Sequence, residues 1–400
     1  MWRRSRERWA AKKSLDELMM STLKFFWRLK MFKQQISISP LLILVSAVLI
    51  FSCVKKEKIE IGAVLPLTGS AAVWGQNAKM GLDIALKEIN ESGGILGSMM
   101  SLAYEDSESD PTKAVSALQK LININKIQVV VGDIASSSVL AMAPVAEGQQ
   151  VVLLSPGASN PDITNAGNFI FRNWQSDALE GQVDADFAYS TRGYRKMAVL
   201  YVNNAYGGGL RTVFEEFFKK LGGQIVASEG FEQSSTDLRS QISRIAAAKP
   251  DAVFMPGYPP EMGAALKQAK EMGLKFQILS VQAFDDPQIL QIAGDAAEGV
   301  IFSVPKPPDT SDTVVSNFMR KYKQTYNKEP GVCSDTGYDA LRIIAWAMNS
   351  GARSSQEIKD QLLKLKDFSG AAGSTTFDEN GDVLKPFIFK KVENGKFVSL

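Results

Sequence analysis

The chain has 400 residues, is 45% hydrophobic and 22% charged and carries a net charge of +2, a balance that excludes disordered, collagenous and multi-span membrane chains. It has no histidine, which rules out Ser-His-Asp and Cys-His catalysis, His-bearing zinc sites and histidine pH switches. Residues 1–52 hold ten basic and three acidic side chains (+7), so residues 53–400 stand at −5 and offer no electrostatic footprint for nucleic acid.

In chain order, the first feature is an address. Residues 41–51 (LLILVSAVLIF) are apolar but shorter than the ~20 residues of a membrane-crossing helix. Basic residues precede the run and Ser52-Cys53 closes it, the layout of a secretory signal. Ile50-Phe51-Ser52-Cys53 resembles the lipobox of bacterial lipoproteins, which implies that Cys53 becomes the lipidated first residue of the mature chain. A plain N-terminal anchor helix with an incidental cysteine is the alternative. Residues 1–52 exceed a signal of about 15–30 residues. Met31, or Met19 or Met20, is therefore expected as the start, with a basic cytoplasmic tail as the other reading. With Cys53 lipidated, Cys333 has no partner and no disulfide is expected.

The body alternates strands and helices. Residues 59–67 (IEIGAVLPL) predict a strand, followed by the turn Thr68-Gly69-Ser70. A helix is predicted over 74–91, with Met80, Ile84, Leu86 and Ile89 on or near one face and Gly93-Gly94 as its stop. Residues 102–105 predict a strand, and Asp110-Pro111 starts a helix that runs to about 121. Strands follow at 127–131 and 150–154. Strands so uniformly aliphatic, separated by helices, predict a parallel sheet buried on both faces.

The pattern then restarts. Strands are predicted at 197–202, 223–227, 252–255 and 277–281, with helices after Tyr206 and over 236–248 and 261–272. Two successive α/β sets predict two lobes. Residues 300–302 and Pro305 read as a crossover, with helices near 312–326 and 338–350 beyond it. Residues 376–400 read as a strand hairpin turning at Asp378-Glu379-Asn380-Gly381-Asp382.

Ligands of open parallel sheets bind beyond the carboxyl ends of the strands. Those ends read Gly132-Asp133-Ile134-Ala135-Ser136-Ser137-Ser138 and Ser155-Pro156-Gly157-Ala158-Ser159. Hydroxyls and backbone N–H groups near helix N-termini favour a carboxylate or another anion, although serine is also an ordinary helix cap. Tyr206 and Tyr258 hold the equivalent positions in the second set and Trp74 follows the first strand; each serves equally well as packing.

An ordered series of short motifs completes the picture: PLTG (66–69), W-G (74–75), IN-x-x-GG-I-x-G (89–97), DP-x-x-AV (110–115), VVG-x-x-x-SSS (130–138), SPGASNP-x-IT (155–164), FR (171–172), YG-x-GL (206–210), GY-x-PEMG (257–263), YDA (338–340) and FD-x-x-GD (377–382). Over about 58–400 the chain resembles the substrate-binding lipoproteins of branched-chain amino acid ABC transporters, within the type I periplasmic binding protein fold. The resemblance implies an α/β chain of two lobes, each a mostly parallel sheet flanked by helices, joined by a multi-crossing hinge. It places 58–172 with 306–375 in one lobe and 173–305 with 376–400 in the other, with 53–58 as the lipid-anchor linker. It implies that Ser136, Ser137, Gly157, Ala158 and Ser159 hold a ligand carboxylate, with Trp74, Tyr206 and Tyr258 as pocket walls. Gln282 stands where the family places the acid that pairs the ligand ammonium. A neutral amide offsets a buried ammonium poorly. The expected ligand is therefore a small carboxylate or amide-bearing solute, bound at least as well as leucine, isoleucine or valine, unless Asp285 or Asp286 reaches the ammonium.

Three functions compete. A solute-binding module that delivers a small molecule to a membrane transporter fits all of these features. An enzyme on this scaffold would lack histidine, a G-x-S-x-G elbow and a G-x-x-x-x-G-K-[ST] phosphate loop, so no catalytic residues, cofactor or metal are expected. A lipoprotein that senses a ligand and signals through a separate receptor is the remaining alternative. The expected partners are a small-molecule ligand, ABC transporter permease subunits and the membrane through the N-terminal lipid. The protein is expected to be an exported, lipid-anchored monomer facing the periplasm or cell exterior.

Overall fold

The computed structural model describes residues 58–400 and, before them, Met20, Lys24 and Trp27, which are helical and exposed. The apolar run 41–51, the starts Met19 and Met31, and Cys53 lie outside the described residues. Among the described residues, no helix is long and apolar enough to cross a membrane.

The first half of the body builds one sheet. Its elements are β1 (Ile59–Leu65), α1 (Ala72–Glu91), β2 (Met100–Asp106), α2 (Pro111–Asn123), β3 (Val129–Gly132), α3 (Ser136–Gly148), β4 (Val152–Ser155) and β5 (Ile170–Arg172). The strands lie in the order β2-β1-β3-β4-β5, and every pairing is parallel. All four residues of β3 and of β4 are buried, as strands covered by helices on both faces require. At the start of α2, Asp110 accepts from Thr112 N at 2.7 Å and Lys113 N at 3.0 Å, with Pro111 as first helical residue.

The second set comprises α4 (Asp177–Asp186), β6 (Lys196–Val202), α5 (Ala205–Lys220), β7 (Gln224–Phe231), α6 (Arg239–Ala248), β8 (Ala252–Phe254), α7 (Pro259–Glu271), β9 (Ile278–Ser280), α8 (Pro287–Ala293) and β10 (Ile301–Pro305). The chain then returns to the first sheet with α9 (Thr313–Tyr326), α10 (Ser334–Asn349) and α11 (Ser355–Leu362), passes the small hairpin β11 (Phe368–Gly370) and β12 (Gly373–Thr375), and ends in β13 (Phe387–Glu393) and β14 (Lys396–Ser399). The second sheet has the order β14-β13-β10-β9-β8-β6-β7, parallel from β7 to β10 and antiparallel beyond. The chain therefore crosses between the sheets three times, after β5, after β10 and after β12.

Helix α10 covers the first sheet by packing on α1. Gly81 permits this close approach, because a Cβ there would stand 1.9 Å from the carbonyl oxygen of Ser334.

Two expectations change. Residues 301–305 are a strand inside the second sheet, between β9 and β13, and the crossover begins after Pro305. The C-terminal hairpin turns at Asn394-Gly395, both at positive φ (53° and 68°), as the two-residue turn of a right-twisted hairpin requires. The Asp378–Asp382 segment is a separate turn, with Asp378 Oδ1 accepting from Asn380 N and Asp382 N at 2.9 Å each. Pro386 shortly after it cannot donate to a ladder, whereas alternating apolar residues flank Asn394-Gly395.

Candidate functional site

The carboxyl ends of strands from both sheets meet around a cavity with about 330 Å³ of empty space. Trp74, Ile134, Gly157 and Ser159 come from loops and helix starts of the first sheet. Tyr206, Tyr258, Gln282 and Ala283 come from the second, Trp174 from the first crossing, and Val332 with Cys333 from the approach to α10. The tyrosines and Trp74 form an aromatic wall spanning both sheets: the Trp74 and Tyr258 rings are 5.2 Å apart, those of Tyr206 and Tyr258 5.6 Å. Gly157 keeps the cavity open, since a Cβ there would lie 2.9 Å from Ile134 and 3.0 Å from the Cys333 sulfur.

Behind the wall, the serine-rich loops hold each other. Ser155 Oγ donates to the Asp133 carbonyl at 2.6 Å and accepts from Ala158 N at 2.9 Å. Ser136 Oγ accepts from Ser159 N and Asn160 N, both at 3.2 Å. Asp133 Oδ1 accepts from Ile134 N and Ala135 N; burial nonetheless pushes its pKa up to about 6. Beneath these loops, the Arg172 guanidinium reaches the carbonyls of Ser159 and Asn160 at 3.0 and 2.8 Å.

Hydrogen bonds also cross the cleft. Ser137 Oγ accepts from Ala205 N at 3.1 Å, and Asn160 Nδ2 donates to the Ala205 carbonyl at 2.5 Å. Gln233 donates to Ser70 Oγ at 2.6 Å and accepts from Asn204, the cap of α5, at 2.9 Å; Asn204 also reaches the Tyr258 hydroxyl at 3.3 Å.

Of the residues expected to touch ligand, Trp74, Gly157, Ser159, Tyr206, Tyr258 and Gln282 line the cavity. Ser136, Ser137 and Ala158 do not: Ser136 and Ala158 brace the loops and Ser137 joins the two lobes. Asp285 is paired with Lys390 at 2.6 Å, and Asp286 caps α8 through Gln288 N at 2.8 Å. Sequence reasoning did not single out Ile134, Trp174, Val332 and Cys333, which reach the cavity from loops without periodicity, nor Ser155 as the loop organiser.

Two mostly parallel sheets, joined by three crossings, thus face one another across a cavity at their strand ends. The model of the periplasmic binding protein family matches residues 58–396.

The chain belongs to the periplasmic binding protein family.

The leucine-, isoleucine-, valine-, threonine- and alanine-binding protein of Pseudomonas aeruginosa is 29% identical over 338 residues, 84% of this chain and 90% of that one. Among solved structures, the leucine-binding protein of Thermotoga maritima is 31% identical with a TM-score of 0.80, over 86% of this chain and 97% of its own. The branched-chain amino acid transporter substrate-binding protein of Streptococcus pneumoniae, in complex with isoleucine, is 29% identical with a TM-score of 0.79, over 85% of this chain and 98% of its own. This periplasmic binding protein thus has the two-lobed α/β fold that its motifs imply.

Proposed function

We propose that this protein is the extracytoplasmic solute-binding component of an ABC importer, capturing a small amino acid or a related small carboxylate or amide between its two lobes. The carrying observation is a single cavity walled from both sheets by Trp74, Ser159, Tyr206 and Tyr258. A ligand that touches both walls favours the closed arrangement by its contacts to each. The names of the relatives, which bind leucine and similar amino acids, support the same solute class. A thermal-shift screen of the full-length protein against amino acids, amides and aromatic acids tests the reading. A true ligand at 100 times its Kd stabilises the fold by about 2.7 kcal/mol; a screen without any shift contradicts it.

On this reading the lobes are 58–172 with 306–375 and 173–305 with 376–400. The protein acts as a monomer with permease subunits as partners. Cys53 carries the lipid that tethers it, and residues 1–52 are removed. Intact mass of membrane-extracted protein decides this last point, and retention of Met1 or Met31 contradicts it.

A further inference from the structure

The carboxyl ends of the first sheet carry the cavity, and its amino ends carry a different feature. Among residues 58–400, seven large apolar side chains are exposed, and four of them gather at this pole: Leu96 (58%), Met99 (51%), Ile124 (73%) and Trp346 (38%). The other three, Leu221, Leu384 and Leu400, follow elements of the second sheet or lie in the third crossing. Hydrogen bonds bring the four together around the start of β1. Leu96 and Met99 belong to the turn between α1 and β2, and Ile59 N donates to the Met99 carbonyl at 2.9 Å. Ile124 follows α2, and the side-chain amide of its neighbour Asn125 donates to Glu60 at 3.3 Å. Leu96 N donates to Asn349 Oδ1 at 3.2 Å, and Trp346 lies one turn before Asn349 on the same face of α10. Helix α10 thus runs from the cavity wall at Cys333 to this pole, over 16 residues or about 24 Å.

The fold gains little from these side chains. Leu96 has a φ of +47°, a region that suits glycine or asparagine, and its exposed side chain returns no packing for that strain. The polypeptide enters the fold at this same place, through Lys58-Ile59. On the reading that Cys53 carries lipid, the five linker residues 54–58 span at most about 18 Å when fully extended, less than the length of α10. The start of β1 is therefore never farther than that from the lipid headgroups. The linker holds Lys55, Lys56 and Lys58 against Glu57, and Lys126 is exposed two residues after Ile124, a basic excess that suits an anionic leaflet. The acids beside the patch are Glu60, bound by Asn125, and Glu91, paired with Lys87 at 3.8 Å.

We propose that Leu96, Met99, Ile124 and Trp346 form a membrane-contact surface, which seats this pole in the headgroup layer of an anionic bilayer and turns the ligand cavity away from it. The proposal rests on the lipid-anchor reading above. Apolar side chains flanked by basic ones bury about 5–10 Å into the headgroup boundary, and a tryptophan suits that depth. A tether alone leaves the body free to tumble, whereas the patch fixes which end meets the lipid.

Protein extracted from membranes and reconstituted into vesicles of three parts phosphatidylcholine to one part phosphatidylglycerol tests this. Ile124→Cys is labelled with an environment-sensitive fluorophore, and Leu384→Cys, exposed in the third crossing, is the control; Cys333 is buried. The label at 124 is expected to shift to the blue and to lose at least half of its emission to nitroxide-labelled lipid, while the label at 384 keeps its own. Adding Leu96→Ser and Met99→Ser is expected to halve the quenching at 124 or better, with thermal stability unchanged because both side chains are exposed. Intact mass of the same sample reports the lipid on Cys53 separately. A label at 124 that stays in water on vesicles of lipid-bearing protein overturns the inference and leaves the anchor standing. Equal quenching at 124 and 384, or quenching unchanged by the serine substitutions, also overturns it. A label at 124 that becomes buried in detergent-solubilised protein as its concentration rises marks a second copy of this chain as the occupant, and overturns it too. Protein without the lipid overturns the anchor reading and the inference together.

Discussion

Arg172, the last residue of β5, and Asp382, in the third crossing, form a two-pronged ion pair, Nε to Oδ1 and the second terminal nitrogen to Oδ2, each at 2.7 Å. The remaining guanidinium N–H groups reach the carbonyls of Ser159 and Asn160 and the hydroxyl of Thr164, so all five donors are used by a side chain with no exposed surface. One residue thereby ties a hinge crossing to the loop that forms the cavity floor.

Arg172→Lys tests this tie. An ammonium cannot reproduce the planar fork. It leaves Asp382 and buried carbonyls short of partners, and loss of one member of a buried pair typically costs about 3–5 kcal/mol. Denaturant unfolding is expected to show a loss in that range, with weaker ligand binding. A change below about 1 kcal/mol contradicts the assigned role.

Closure is expected to depend on the bond between Ser137 Oγ and Ala205 N, which joins the lobes. Ser137→Ala removes one ordinary hydrogen bond, about 0.5–1.5 kcal/mol, which corresponds to roughly two- to twelvefold in Kd. Because the bond lies between the lobes, calorimetry should register the loss while thermal stability without added ligand barely moves. The reverse pattern means that Ser137 serves folding alone.

The aromatic wall gives a graded test at Tyr258, which is buried and touches both Trp74 and Tyr206. Tyr258→Phe keeps the ring and loses only the 3.3 Å contact from Asn204, so affinity should stay within about threefold. Tyr258→Ala opens a cavity that costs about 3–5 kcal/mol of stability and removes the wall, with at least a tenfold loss of affinity. Equal effects of the two substitutions would show that the hydroxyl, rather than the ring, matters.

Stability should fall as pH rises from about 4 to about 7. Burial raises Asp133 to about 6 and Asp177 and Asp339 to about 7, above their ordinary value of 3.8. In this window the folded state holds protons that the unfolded chain has released, so each group's stabilisation is complete below pH 3.8 and is lost as pH climbs through its folded value. Each pKa unit is worth about 1.4 kcal/mol, so the summed effect is on the order of 10 kcal/mol. Urea unfolding at pH 5, 6 and 7 measures it, and a flat or rising profile contradicts the raised pKa values of these buried carboxyls.

Much of the framework was legible because its signals are local. The aliphatic runs at Val129–Gly132 and Val152–Ser155 suit only doubly covered strands, and Asp110-Pro111 announces α2 by its cap. The aromatic and serine positions around the cavity were legible for the same reason, as strand-end loops. What was not legible depends on tertiary context. The α4 sequence DALEGQVDAD reads as a surface helix, and only packing buries its acids. The two Asn-Gly turns look alike until the strands beside them pair, and the bracing of the second loop by Ser136 depends on the fold bringing Ser159 N to its hydroxyl.

A crystal structure of the protein grown with L-leucine tests the central claim most directly, that one small solute is held between the two lobes. The account predicts the amino acid in the cavity bounded by Trp74, Ser159, Tyr206 and Tyr258. Leucine bound elsewhere, or against one lobe only, would contradict it.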